Sequence, residues 1–420
     1  MCRMRQSKLF TKTKRDIPTD EVSKNAELLI RGGFIYKEMA GVYSYLPLGL
    51  KVVNKIENII REEMNKIGGQ EVVMSALQNP ESWKKTGRFS DEKVDIWFKT
   101  KLKNDTELGL GFTHEEPLTS LMKSYIGSYR DLPCYVYQFQ TKFRNEARAK
   151  SGVMRTREFV MKDLYSFSKD EKEHEEFYEK AKEAYVNIFK RSGIGHLTYL
   201  TFASGGSFSK FSHEFQTITP TGEDTIFINE DSNIAINKEV FTDEVKRSLN
   251  LSDNFKETKA VEVGNIFTLG TKFSDALGLD YQTETGEKKS VFMGSYGIGP
   301  ARLMGTVVET LSDDKGIIWP ESIAPFIIHL LVLGEDENVR KEAEKVYEKL
   351  SKAGIEVLFD DRDGLSAGEK FSDADLLGMP FRAVVSSRSI KENGIELKRR
   401  VEEKGKIVSL DELLNILKKD

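Results

Sequence analysis

Apolar residues recur along this chain with two periods, and the switches between them mark out its elements. From Tyr135 to Phe143 the period is two: Tyr135, Tyr137, Phe139, Thr141 and Phe143 take one face, while Gln138, Gln140, Lys142, Arg144 and Glu146 take the other. This predicts a half-buried strand with a chemical face. Ala147 to Met154, holding Lys150, Ser151 and Gly152, reads as a turn, and Arg157 to Phe167 as a return strand, so the pair makes a hairpin. From Leu48 the period lengthens. Val52, Val53, Ile56, Ile59, Ile60 and Met64 recur at three and four and stop at Gly68-Gly69, which predicts an amphipathic helix of about five turns.

A short helical run is expected near Glu21 to Arg31, a strand from Glu71 to Leu77, and surface loops with a hairpin from Glu81 to Leu110. Pro117 suits the first turn of a helix that follows Thr113-His114-Glu115-Glu116. Lys169 to Arg191 reads as a solvated surface helix. Residues 196–255 alternate strand-like runs with Gly and Ser, Val261 to Phe273 is β-rich, Val291 to Gly299 is a strand, and Pro300 opens a helix through Glu309. Gly316, Pro320 and Pro325 mark a linker. Beyond it strands and helices alternate: a strand at Phe326 to Leu333, a helix at Asn338 to Ala353 with Val339, Ala343, Val346, Tyr347 and Leu350 on one face, and a strand at Ile355 to Phe359. A short helix at Lys370 to Leu377, a strand at Arg382 to Val385 and a final helix from Asp411 complete an α/β module.

With 420 residues, 39% hydrophobic and 31% charged, the chain can build two or three domains. A net charge of -4 gives no global polyanion signature, so an anion site has to be local. The hairpin supplies one, with seven Lys or Arg against two acids between Lys142 and Lys162. Cys2 and Cys134 are the only cysteines, which excludes a disulfide framework and suits the cytoplasm. No apolar run is long enough to span a membrane, and the basic stretch Arg3 to Arg15 lacks the apolar segment of a secretory signal. The glycines at 294, 297 and 299 do not have dinucleotide-loop spacing, no P-loop pattern occurs, and His114-Glu115-Glu116 lacks the second His of a zinc helix.

Three stretches together resemble the motifs of the class II aminoacyl-tRNA synthetases. Leu46-Pro47-Leu48-Gly49 with its helix looks like the first, Phe143-Arg144-Asn145-Glu146 through Arg155-Thr156-Arg157-Glu158-Phe159 like the second, and Gly297-Ile298-Gly299-Pro300-Ala301-Arg302 like the third. Thr113-His114-Glu115, Asp360-Asp361-Arg362 and Gly364 to Lys370 are similar to the prolyl branch of bacterial type. Met4-Arg5-Gln6-Ser7 resembles the usual start, which makes residues 1–3 a small extension.

The resemblance implies an α+β catalytic domain on an antiparallel sheet over 1–320, with 196–255 as a shortened insertion, and an anticodon-binding α/β domain over 321–420. It implies a homodimer that activates L-proline with ATP to prolyl-adenylate and passes the prolyl group to the 3' end of tRNA for proline. Arg144 would clamp the carboxylate and the α-phosphate, and Glu146 would accept from the adenine amine. Phe159 and Arg302 would stack on either side of the ring, with Arg302 also at the γ-phosphate. Arg155 and Thr156 would hold phosphates, and Glu262 with Asn265 would complete the ATP site, Glu262 through Mg²⁺. Thr113 and Glu115 would bind the secondary ammonium, with Phe215 and Phe267 either walling the ring or serving as core aromatics. Arg362, Lys370, Lys398, Arg399 and Arg400 would meet the anticodon or act as plain surface charge.

No zinc is implied. A threonyl-type synthetase, which selects its substrate with zinc, and a catalytically silent relative that binds tRNA are the alternatives. The short span between Phe167 and Gly294 leaves no room for an editing domain. Proline exceeds alanine by two ring carbons, roughly 1.6 kcal/mol or on the order of 15-fold, so some alanyl product is expected.

Overall fold

The predicted hairpin forms, Cys134–Phe143 pairing antiparallel with Glu158–Ser168 in a register that sets Phe143 opposite Glu158. The computed structural model describes residues 4–16, 23–147, 149, 151–205 and 211–418. Glu21 of the first predicted helix and Lys150 of the predicted turn lie outside them. Two compact units emerge, neither continuous in sequence: one holds 38–43 and 56–306, the other 1–37, 44–55 and 307–420.

In the first unit a nine-stranded, largely antiparallel sheet runs in the order Phe211–Ile218, Thr198–Ser204, Ile234–Asn237, Asp224–Asn229, Phe255–Gly270, Phe292–Ile298, Glu158–Ser168, Cys134–Phe143, Gln70–Glu71. Residues 196–255 are therefore built into this sheet rather than set apart from it. One face is covered by the helix Glu171–Arg191, whose N-terminus is capped by the Asp170 carboxylate accepting from the Glu173 amide. The solvated surface expected of this helix is its charged side, where Glu175, Glu179 and Glu183 are exposed. Its aromatic and aliphatic residues fall on one side, so Phe177, Tyr178, Tyr185, Ile188 and Phe189 are buried. Phe177 stacks on Tyr135 at 3.7 Å between ring centres.

The strand expected from Glu71 to Leu77 survives only as Gln70–Glu71 and Leu77–Gln78. Side chains take the place of the ladder between them: the Met74 amide donates to Gln138 Oε1, and Gln140 Nε2 donates to the Met74 carbonyl. The β-rich run ends at Gly270, and Phe273 lies in the helix Lys272–Leu277. The predicted helix at Leu48 is Pro47–Lys66, and Pro300 opens Pro300–Thr310.

The second unit carries a six-stranded sheet in the order Met4–Arg5, Val357–Asp360, Ile328–Leu333, Phe381–Ser386, Ile395–Arg399, Lys406–Val408. Its first four strands are parallel and its last two antiparallel. The helix Glu337–Lys352 buries the predicted face of Val339, Ala343, Val346, Tyr347 and Leu350. A capping box between Ser366 and Glu369 starts Ala367–Leu377. The strand Met4–Arg5 was not predicted, because two residues carry no period. Arg5 forks onto Glu344 at 2.6 and 2.7 Å and lies over the rings of Tyr347 and Phe359.

Candidate active site

Side chains from three adjoining strands and the helix after Gly299 meet on the sheet face opposite Glu171–Arg191. Arg144, just past the end of its strand, lies between two rings, its guanidinium carbon 5.2 Å from the centre of Phe112 and 5.3 Å from that of Phe159. Its Nε is shielded from solvent and has no hydrogen-bond partner among the described residues. Burial, followed by the charge of Arg302, pushes its pKa down.

Arg302 donates from Nε to the Met154 carbonyl at 2.8 Å and from Nη1 to the Glu262 carbonyl at 3.1 Å, with the Glu262 carboxylate 3.5 Å away. Asn265 Nδ2 donates to Glu262 Oε1 at 2.7 Å. Thr156, Phe159, Glu262, Asn265 and Arg302 line one cleft, and Arg144, Glu146, Arg155, Glu262 and Arg302 line a second that shares two of these residues. The eight residues expected around ATP thus come together. Arg155 spans two acids, reaching Glu146 Oε2 at 2.8 Å and Glu223 Oε2 at 2.7 Å. Glu223 was not anticipated, since it follows Gly222 in a turn with no pattern of its own.

The turn before the helix Glu115–Met122 brings Thr113 and Glu115 together among buried polar side chains. Thr113 Oγ1 donates to Glu115 Oε1 at 2.8 Å. Arg88 Nη1 lies 3.5 Å from Glu115 and 3.0 Å from Glu116, and burial pushes the Glu116 carboxyl up to about 7. Beside them Lys142 and Asp163 form an ion pair at 2.7 Å sealed from solvent, with Gln138 and Tyr165 on the same carboxylate. On the chemical face of the strand Gln138 and Lys142 are therefore interior, while Gln140, Arg144 and Glu146 stay partly exposed. Alternation had placed Gln138 and Lys142 on that face. The cross-strand register, which sets Asp163 opposite Gln138, was the missing signal.

The two aromatic candidates separate. Phe267 packs against the cluster that contains Leu118 and Tyr165, on the site side. Phe215 packs on the helix side, its ring 5.3 Å from Tyr185 and 5.2 Å from Phe189, and so belongs to the core.

In the other unit most of the candidate RNA-binding cations already have internal partners. Arg362 bridges Asp360 and Asp373, buried Lys370 donates to the Val332 carbonyl, Arg399 pairs with Glu321, and Arg400 forks onto Asp313. Lys398 forms none of these pairs. Among the described residues no group of three His, Cys, Asp or Glu is placed to hold a metal ion, and no helix is long and apolar enough to cross a membrane.

A mainly antiparallel sheet carrying an arginine between two rings, a second arginine on a glycine-preceded helix and a separate α/β module defines the class II tRNA synthetase architecture. Residues 98–311 match the tRNA synthetase class II core domain (G, H, P, S and T), and residues 327–420 match the anticodon binding domain. A proline–tRNA ligase of Ehrlichia ruminantium is 37% identical over 431 positions, covering 99% of this chain and 100% of the relative. One of Zymomonas mobilis is 36% identical over 439 positions, covering 99% and 98%. The crystal structure of a Cryptosporidium parvum prolyl-tRNA synthetase complexed with L-proline and AMP is similar with a TM-score of 0.76 at 18% identity, over 94% of this chain and 74% of that one. The chain belongs to the proline–tRNA ligase family.

Proposed function

We propose that this chain is an ATP-dependent ligase that joins L-proline to ATP as prolyl-adenylate and then transfers the prolyl group to tRNA for proline. The observation that carries the reading is the placement of Arg144. Its guanidinium is held between Phe112 and Phe159 with Nε unused, and the same side chain lines the cleft of Glu262 and Arg302. A planar cation so held can fork onto the proline carboxylate and the α-phosphate and fix the line of attack. Positioning and charge stabilisation are sufficient, because the substrate carboxylate is itself the nucleophile.

Phe159 offers a face for adenine, Glu146 an acceptor for its amine, and Arg155, Thr156 and Arg302 donors for the phosphates. Mg²⁺ prefers oxygen ligands and is commonly held by one or two carboxylates together with substrate phosphates. Glu262, a partly exposed carboxylate oriented by Asn265, fits that demand and would hold the ion. Bound there, Mg²⁺ neutralises phosphate charge. Glu115, held by the Thr113 hydroxyl that donates to it, takes the secondary ammonium, and Phe267 rather than Phe215 stands on the site side to wall the ring.

For tRNA, the half-exposed Arg399 is the candidate cation that can be recruited without breaking a buried pair, whereas Lys398 is buried and would have to be uncovered. The exposed Val73 and Leu77 support a homodimer, which sedimentation across protein concentrations tests. A cytoplasmic location rests on the cysteine usage. Proline-dependent exchange of pyrophosphate into ATP tests the activity. Exchange with proline is expected, and no exchange with any amino acid would point instead to a silent tRNA-binding relative.

A further inference from the structure

Next to the Thr113–Glu115 turn, Gln138, Lys142, Asp163, Tyr165 and Glu115 are all buried, and three of them converge on the Asp163 carboxylate. Lys142 Nζ donates to its Oδ1 at 2.7 Å and Gln138 Nε2 to its Oδ2 at 2.9 Å. Tyr165 Oη lies 3.1 Å from the same Oδ2 and 3.4 Å from Glu115 Oε1. The backbone N–H of His114 donates to Tyr165 Oη at 3.2 Å.

A phenol has one proton to give. Two carboxylates lie within reach of the Tyr165 proton, and Asp163 is the nearer. With that proton on Asp163 and the His114 amide on one lone pair, the remaining lone pair of Tyr165 faces Thr113 and Glu115, and the single Thr113 hydroxyl proton, given to Glu115, leaves it unfilled. Acceptor faces acceptor across this gap. A buried arrangement of that kind is completed by a donor, and the secondary ammonium of proline carries two N–H groups.

We propose that Asp163 is a positioning residue that turns the Tyr165 hydroxyl away from Glu115, so that Tyr165 and Glu115 together accept the two protons of the proline ammonium. This rests on the reading of the chain as a proline-activating enzyme and adds two residues to its amino-acid site. Asp163 touches no substrate and acts through Tyr165. Gln138 and Lys142 hold its two oxygens and thereby fix the direction from which the phenol proton is drawn.

The test is proline-dependent pyrophosphate exchange by wild type, Tyr165→Phe, Asp163→Asn and the double variant, each with KM determined for proline and for ATP. Tyr165→Phe leaves the Lys142–Asp163 pair intact and serves as the variant least exposed to misfolding. It is expected to raise KM for proline about tenfold, the cost of one unmade charged hydrogen bond, with KM for ATP unchanged. Asp163→Asn is expected to raise the same constant, and the double variant to be no worse than Tyr165→Phe, because both act through one hydroxyl. Tetrahydrofuran-2-carboxylate, which has an ether oxygen in place of the amine, should be discriminated from proline less strongly by Tyr165→Phe than by wild type. An unchanged proline KM in Tyr165→Phe, or additive losses in the double variant, overturns the inference while leaving the activity in place. Wild-type protein without proline-dependent exchange overturns the activity, and the inference falls with it.

Discussion

The guanidinium carbon of Arg144 lies 5.3 Å from the centre of the Phe159 ring, and the side chain keeps a buried Nε without a partner. A flat cation stacked on a ring can present a fork edge-on, which an ammonium cannot. Arg144→Ala is expected to lower proline-dependent exchange by about 10³, and Arg144→Lys by about 10², each with an unchanged unfolding midpoint. Exchange at wild-type rate in either protein would remove Arg144 from the reaction.

Arg155 is shared between Glu146 and Glu223, and its side chain is 43% exposed. Glu223 thus competes with any phosphate for the same guanidinium. A pair this exposed contributes about 1 kcal/mol at most and is screened by salt. Glu223→Gln is expected to lower KM for ATP by up to about fivefold at low ionic strength, with the difference vanishing in about 1 M salt. A higher KM would mean that Glu223 holds Arg155 ready rather than away.

Buried carboxyls and buried imidazoles give the stability of the catalytic unit opposing dependences on pH. Burial pushes the carboxyl of Glu214 up to about 8, with Glu262 adding to it, and that of Glu116 up to about 7. The native state therefore keeps protons that the unfolded chain loses near its ordinary carboxylate pKa of about 4.3, and this advantage is lost as pH rises through 7 and 8. His114, His174 and His213 are held down to about 4 by burial. Below about 6.5 the unfolded chain takes up protons there that the native state does not, so these three imidazoles lower stability toward acid. Urea midpoints between about pH 5 and 9 check this. In Glu214→Gln the fall between pH 7 and 8 should disappear.

The strands Thr198–Ser204, Phe211–Ile218, Asp224–Asn229 and Ile234–Asn237 are hydrogen-bonded into the catalytic sheet. They use the connection between the second and third motifs as structure and leave no separate module there among the described residues. Purified protein is expected to form alanyl-tRNA slowly and to leave it intact. Deacylation of alanyl-tRNA for proline faster than the spontaneous rate would show a hydrolytic site elsewhere.

Much of this architecture was legible because local period decided it. The alternation at Tyr135 to Phe143 specified the hairpin, and the spacing of Val339, Ala343, Val346 and Leu350 specified a helix face. Motif resemblance pointed to Arg144, Glu146, Phe159, Glu262 and Arg302, which line two clefts that share Glu262 and Arg302. Features that depend on partners distant in sequence stayed hidden. Asp163 reads as an ordinary strand acid until register brings Gln138 and Lys142 to it. Phe215 and Phe267 read alike, and only the side of the sheet separates them. Lys370 and Arg400 look like exposed cations until Val332 and Asp313 are found beside them.

The short parallel pairing of Met4–Arg5 with Val357–Asp360 has a consequence for how the anticodon-binding fold is made. Its edge strand is supplied from the opposite end of the chain, and Gln6 reaches on to His329 at 2.8 Å. A fragment beginning at the linker would expose the amides and carbonyls of Val357–Asp360 as an open template for another strand, and would leave Glu344 and the stacked rings of Tyr347 and Phe359 without Arg5. During synthesis the first residues to emerge must wait for nearly the whole chain before this sheet can close, which makes its completion a late, long-range event and ties the integrity of the RNA-binding module to the intact N-terminus.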